Sequence, residues 1–315
     1  MDVNHCTSKK LVTDFLKNYP NKKTRANYRI AITHYLHSVC TASRNGKFSP
    51  ADILAERYIQ ALNTKQRNHY ADLKEYAHIL NKKYAPTTTH LYLSLTMFWL
   101  DENGYPTNRK ERGRITSQLP PAHPRERDLE LKRKTFRTLY HNFPEDIAVL
   151  LLVLLASGMR LGEALALKRD NVNWSKGRTE IYLPAAICKT KTARRTYLTE
   201  EASYALLEYL RSRRDYDERL FLITYDRAQQ RMRETSIRLG LSKTIDGRRC
   251  VVHWHMTRKW FISRFALAAN KEIAEHLAGH EGYLSRSYRR YSKKQLLKEY
   301  TKAEKKLSIL KRYEY

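Results

Sequence analysis

Ten consecutive apolar residues, Ile147 to Ala156, restrict the fold more than any other stretch of the chain. A helix needs about 20 such residues to cross a bilayer. This run is too short for that and, bounded by Asp146 and Ser157, predicts a helix buried inside a folded domain. Ser157-Gly158-Met159-Arg160 breaks it, and Leu161 to Leu167 resumes with helical spacing. Arg160 therefore falls at a turn between two apolar helices. A charge there is costly to bury unpaired, and Glu163, three residues on, can pair with an arginine and hold it in position.

The 315 residues leave room for about two domains, and the 42% hydrophobic fraction is enough for real cores. Lys and Arg number 60 against 32 Asp and Glu, a net charge of +28. Such an excess repels itself unless a polyanion is near. Nucleic acid is the first candidate and an anionic membrane a weak second. The opening residues, MDVNHCTSKK, carry no apolar signal core. The expectation is a soluble, cytoplasmic protein associated with the nucleoid. Cys6, Cys40, Cys188 and Cys250 are scattered without C-x-x-C, which points to reduced thiols and against a disulfide frame or a zinc ribbon. Neither G-x-G-x-x-G nor G-x-x-x-x-G-K-[ST] occurs, so no nucleotide cofactor is expected.

Residues 1–110 read as a helical domain. Its stripes are Leu11, Val12, Phe15 and Leu16; then Tyr28, Ile32, Tyr35, Leu36 and Val39, opened by Thr24; then further stripes up to a helix that Pro86 opens and Gly104 stops. Tyrosines sit among basic residues at Arg25 to Arg29, Lys65 to Tyr70 and Lys82 to Tyr84, where they fit phosphate contact or helix borders equally well. A Pro-rich, charged, nearly apolar-free stretch begins near Pro106, and 111–128 is assigned as linker. The second domain is 129–315. It is mainly α with a small antiparallel β-sheet: Thr179 to Leu183 and Thr196 to Leu198 read as strands around a turn rich in Lys and Arg that includes Lys189. A basic stretch from Arg211 to Arg249 shows no sharp motif, and a final helix starts at Ser292, a good N-cap, and runs to Leu310.

Between those last two segments, His253 to Tyr291 concentrates unusual polar positions. His255 and Arg258 lie three apart on one helix face. Gly279 is a natural helix stop that turns His280 toward whatever His255 and Arg258 line. A Tyr-rich segment, Ser287 to Tyr291, closes the stretch. Two imidazoles, a guanidinium and a phenol suit an anionic oxygen. Cys250, His253 and His255, or His276 and His280, lack the carboxylate spacing of H-E-x-x-H, so no metal is expected.

In chain order, Arg160, Lys189, His255, Arg258, His280 and a following Tyr resemble the tyrosine recombinase, or phage integrase, family. Ser157 to Leu167 matches its first box, T/S-G-x-R-x-x-E-x-x-x-L; Lys189-Thr190 its hairpin lysine; His255 to Arg258 its H-x-x-R box; and Leu277 to His280 its L-x-G-H box. Lys259 stands where a second His is common, and Tyr197-Leu198 where Pro-Leu is usual. The wording of GHEGYLSRSYRRYSKKQLLKEY is similar to archaeal and archaeal-virus members.

The resemblance implies a two-domain DNA clamp, a helical core-binding domain plus a catalytic domain. It implies a site-specific recombinase acting on double-stranded DNA as a homotetramer through a 3′-phosphotyrosine, with no cofactor. Arg160 and Arg258 would bind the non-bridging oxygens of the phosphodiester, His255 and His280 would add hydrogen bonds, Lys189 would protonate the leaving 5′-oxygen, and Glu163 would support Arg160. Tyr288, eight residues after His280, is chosen as nucleophile, with Tyr291, eleven after it, as the alternative. The apolar stripe from Gln295 to Leu310 is placed to pack on a neighbouring protomer. The alternatives are a type IB topoisomerase, which shares the chemistry, and a DNA-binding protein without strand exchange.

Overall fold

A computed structural model describes residues 11–40, 50–122, 132–175, 178–241, 244–245, 249–250, 252–280 and 291–310. The chain divides into two compact units, Met1–Arg127 and Asp128–Tyr315. No described helix is long and apolar enough to cross a membrane.

The first unit is helical: α1 (Val12–Lys17), α2 (Lys22–Val39), α3 (Ala51–Asn63), α4 (His69–Lys83), α5 (Pro86–Glu102) and α6 (Arg109–Thr116). Asn21 rather than Thr24 opens α2, because its side chain accepts the N–H groups of Lys23 and Thr24. The α6 helix falls in the stretch expected to be linker. The capping box of Asn108 and Glu111 starts it, and buried Ile115 ties it to the core of this unit. Tyr35, Tyr58 and Tyr76 are core residues, and Tyr58 donates to the buried Asp72 at 2.7 Å. Tyr28, Tyr70 and Tyr84, from the three basic clusters, pack against the same core.

The second unit is built around α8 (Glu145–Ser157), in which every residue from Ile147 to Ser157 is buried. Before it comes α7 (Arg133–Asn142), and after it α9 (Leu161–Leu165). Three antiparallel strands follow in the order β1-β2-β3: β1 (Val172–Ser175), β2 (Arg178–Leu183) and β3 (Arg194–Tyr197). The first of these was not foreseen. Register pairs Ile181 with Val172 and Thr196, so Ile181, Leu183 and Thr196 face the core. The stretch from Arg211 to Arg249 contains a full helix, α11 (Tyr225–Arg238), after α10 (Glu200–Ser212). A short hairpin, β4 (Thr244–Ile245) and β5 (Arg249–Cys250), leads to α12 (His255–Ala266) and α13 (Lys271–Ala278).

The last helix, α14 (Lys293–Leu307), starts where its sequence signal stands, with Ser292 and Gln295 forming a capping box. Its apolar stripe does not face outward. Leu296, Tyr300, Ala303 and Leu307 are buried against Phe261, Phe265, Ile273 and Leu277 of the same unit, and Tyr300 donates to the Ala156 carbonyl at 2.8 Å. The expectation that this stripe packs on a neighbouring protomer is therefore corrected. A buried stripe with a buried phenol needs its partners within the chain, and α8, α12 and α13 supply them.

Candidate active site

The end of α8 builds the first wall. Gly158 takes a left-handed φ of +65°, and a Cβ there would enter the Phe261 ring. The turn it makes leaves Arg160 at the N-cap of α9, half-buried. Glu163 fixes that arginine twice. Its Oε2 accepts the Arg160 backbone N–H at 2.9 Å, and its Oε1 accepts from Nη1 at 3.0 Å. The same carboxylate receives Arg194 Nη2 at 2.6 Å. Burial pushes the Glu163 carboxyl up, but Arg194 and Arg160 outweigh it and hold its pKa below the ordinary carboxylate value.

The second wall is α12. Arg258 is 3% exposed, and its Nη1 donates to the Gly158 carbonyl at 3.0 Å and to the Ala278 carbonyl. Its Nη2 is buried and has no hydrogen-bond partner among the described residues. Burial lowers its pKa to about 10, helped by the charges of Arg160 and Arg194 and opposed by Glu163. Even so, the guanidinium stays charged at neutral pH. His255 lies one turn away, and its pKa is lowered by burial and then by Arg258, His253, Arg160 and His280.

The third wall is the turn between β2 and β3, which carries Lys189, exposed, and Lys191, whose φ is +56°. The α13 helix ends in a Schellman turn. The backbone N–H of Gly279, at φ +70°, donates to the His276 carbonyl at 2.9 Å, and the backbone N–H of His280 donates to the Glu275 carbonyl at 2.8 Å. The Gly279 carbonyl accepts from Arg160 Nη2 at 3.4 Å.

Arg160, Glu163, Lys189, His255 and Arg258 line one cleft of about 980 Å³. His280 is exposed beside the Arg160–Gly279 contact. Tyr288 lies outside the described residues. Tyr291 is half-buried, its ring 5.4 Å from that of His276 and packed on the α12–α14 core. Two contributors were missed in the sequence. Arg194 was not singled out from the other basic residues between the two strands. The α11 helix adds Tyr225, Gln229 and Arg233 to the cleft. Their spacing of four residues, behind the N-cap Thr224, is the signal that could have found them.

A family match places this fold in the tyrosine recombinase class of DNA breaking-and-rejoining enzymes. Residues 130–298 match the sequence model of the Phage integrase family, and the chain belongs to that family. It is a site-specific tyrosine recombinase. No curated protein matches the chain. Its fold is similar to that of a lambda integrase dimer bound to a COC′ core site, at 13% identity over 90% of this chain and 95% of that one, with a TM-score of 0.59. The Tn1549 transposon integrase in complex with circular intermediate DNA is 14% identical over 87% of this chain and 97% of that one, with a TM-score of 0.52. XerH recombinase bound to its difH substrate is 14% identical over 86% and 94%, with a TM-score of 0.53.

Proposed function

We propose that the chain cleaves DNA by in-line attack of the Tyr288 phenolic oxygen on a phosphodiester. The 5′-oxygen leaves and a 3′-phosphotyrosine remains. Attack by a 5′-hydroxyl on that phosphotyrosine then rejoins a strand and frees the tyrosine, so no nucleotide is consumed. Arg160 and Arg258 hold the non-bridging oxygens, His280 donates a further hydrogen bond, His255 takes the phenolic proton, and Lys189 protonates the leaving oxygen. Glu163 positions Arg160. The observation that carries this reading is the buried Nη2 of Arg258, without a hydrogen-bond partner among the described residues, in a cleft that Arg258 shares with Arg160, Lys189 and His255. A buried donor without an acceptor is costly, and a phosphate oxygen would satisfy it. The packing of Tyr291 on His276 supports Tyr288 over Tyr291 as nucleophile.

Exchange between two duplexes requires four cleavages, and a homotetramer on DNA, clamped by both units of each protomer, meets that need. The wording from Gly279 to Tyr300 favours an archaeal or archaeal-virus origin, and the charge of +28 favours residence on the nucleoid.

The test starts with native protein and sheared DNA of its own source. Denaturant traps the covalent complexes, and the attached strands are sequenced. A nicked suicide duplex built on that sequence should then yield an adduct on a denaturing gel. Tyr288→Phe should abolish the adduct and leave binding intact, whereas Tyr291→Phe should still form it. The reverse pattern would move the assignment to Tyr291, and no adduct with native protein would end the reading.

A further inference from the structure

Arg194 lies behind the cleft, 7% exposed on the core-facing side of β3. Its guanidinium reaches three parts of the site. Nη2 donates to Glu163 Oε2 at 2.6 Å, and Glu163 holds Arg160. Nη1 donates to Glu163 Oε1 at 3.4 Å and to Cys188 Sγ at 3.2 Å, next to Lys189. Nε donates to the Leu277 carbonyl at 3.1 Å, in the last turn before His280. The fit against that turn is close, since a Cβ on Gly279 would lie 2.8 Å from Arg194 Cζ and Nε.

We propose that Arg194 is a positioning residue for strand cleavage, fixing Arg160, His280 and Lys189 relative to one another through Glu163, the Leu277 carbonyl and Cys188. This rests on the roles proposed for those three residues. A planar fork is required, because an ammonium is a point charge that cannot span three partners set in different directions.

The arrangement carries a pH signature. Glu163 is faced by Arg160 from its own helix, Arg194 from β3, Cys188 from the hairpin turn and Arg258 from α12. Burial pushes its carboxyl up, and Arg194 is the strongest influence holding it down. With Arg194 neutralised, Glu163 takes up a proton at a higher pH, and Arg160 then loses its carboxylate partner as the pH falls.

The test uses the full-length protein and the nicked suicide duplex. Arg194→Gln should bind that duplex within about twofold of native, yet form adduct about 100-fold more slowly, the scale expected for a misplacement near 1 Å. Its rate should also show an acid limb at higher pH than native. Arg194→Lys, which keeps the charge but not the fork, should be about tenfold slower and keep the native limb. A native rate in Arg194→Gln, or equal losses in both variants at every pH, overturns the proposal. If Arg194→Gln has no thermal transition, Arg194→Lys decides alone: slower cleavage with native binding supports positioning, and a native rate overturns it. Loss of the transition in both variants would assign Arg194 to the core only and overturn it. Failure of the native protein to form adduct is a separate result, which sinks the reading beneath this one.

Discussion

Glu201, buried at the start of α10, accepts the backbone N–H of Ile309 at 2.8 Å, and its second oxygen accepts that of Leu310 at 2.9 Å. Arg137 Nε donates to the Ile309 carbonyl at 3.0 Å, and Arg133 Nη2 to that of Lys305 at 3.0 Å. The last turn of α14 and the segment that follows it are thus held through their backbone, with Ile309 and Leu310 in the core of the second unit.

Burial raises the Glu201 carboxyl to about 7, against the pull of the two backbone N–H groups, Arg133 and Arg137. The folded state therefore binds a proton that the unfolded state has released once the pH passes the ordinary carboxylate value of 4.5. Stability contributed by this group falls as the pH rises from about 4.5 to about 7 and is level above that. Thermal melts across this window should show the fall in the native protein and a flatter profile in Glu201→Gln. Parallel profiles would remove Glu201 as the source.

Removal of the final helix should cost the fold and not only assembly. Fully burying one large apolar side chain contributes about 1.5–3 kcal/mol, and α14 buries Leu296, Tyr300, Ala303 and Leu307. Chemical denaturation should place Tyr300→Ala about 3–5 kcal/mol below native. Tyr300→Phe, which strands the Ala156 carbonyl, should lie about 1–2 kcal/mol below it. A protein cut after Ser292 that keeps a native melting transition would show that α14 is dispensable in its own unit.

The parts of this fold that were legible in the sequence are those whose signal is local. An unbroken apolar run can only be buried, and α8 is. Ser292 caps a helix by its own hydroxyl, and α14 starts there. The stripe on α14 was legible as apolar, but which surface covers it depends on residues of α8, α12 and α13, well outside its own stretch. Arg194 and Arg195 are adjacent and identical. Strand parity sends the first inward to Glu163 and the second outward to Glu180, at 2.7 Å, and parity is fixed only once β2 pairs with β3. The α6 helix hid because Ile115 is its one buried residue, and α11 because its buried face is Ala228, Met232, Thr235 and Ser236, two of them polar.

Gly158 is held by two independent restrictions, a left-handed φ and the Phe261 ring. An alanine meets both. The backbone conformation costs a non-glycine residue about 1–2 kcal/mol, and overpacking adds about 1–3 kcal/mol. Gly158→Ala should therefore lower stability by about 2–5 kcal/mol in urea unfolding. Because the Gly158 carbonyl accepts from Arg258, any folded fraction should also form adduct more slowly. Phe261→Leu combined with Gly158→Ala should recover the packing part and leave the backbone part. Full recovery would mean that φ carries no cost here.

His255 stands among cations, and that sets the pH range in which it can take a proton. Its pKa lies below 6.5, through burial first and then through Arg258, His253, Arg160 and His280. The imidazole is neutral at pH 7 and is able to accept the proton of an attacking phenol. As the pH falls through its lowered pKa, the ring becomes charged and cleavage should slow, so the native acid limb should lie below 6.5. The ring of His253 is 6.5 Å from that of His255 and nearly parallel to it. Replacing it in His253→Gln removes one like charge, and the His255 midpoint should move up toward 6.5. Imidazole NMR titration reads that midpoint directly, and single-turnover adduct formation reads the limb. The two should shift together. A midpoint that moves while the limb stays would take the phenolic proton away from His255 and assign it to another acceptor in the cleft.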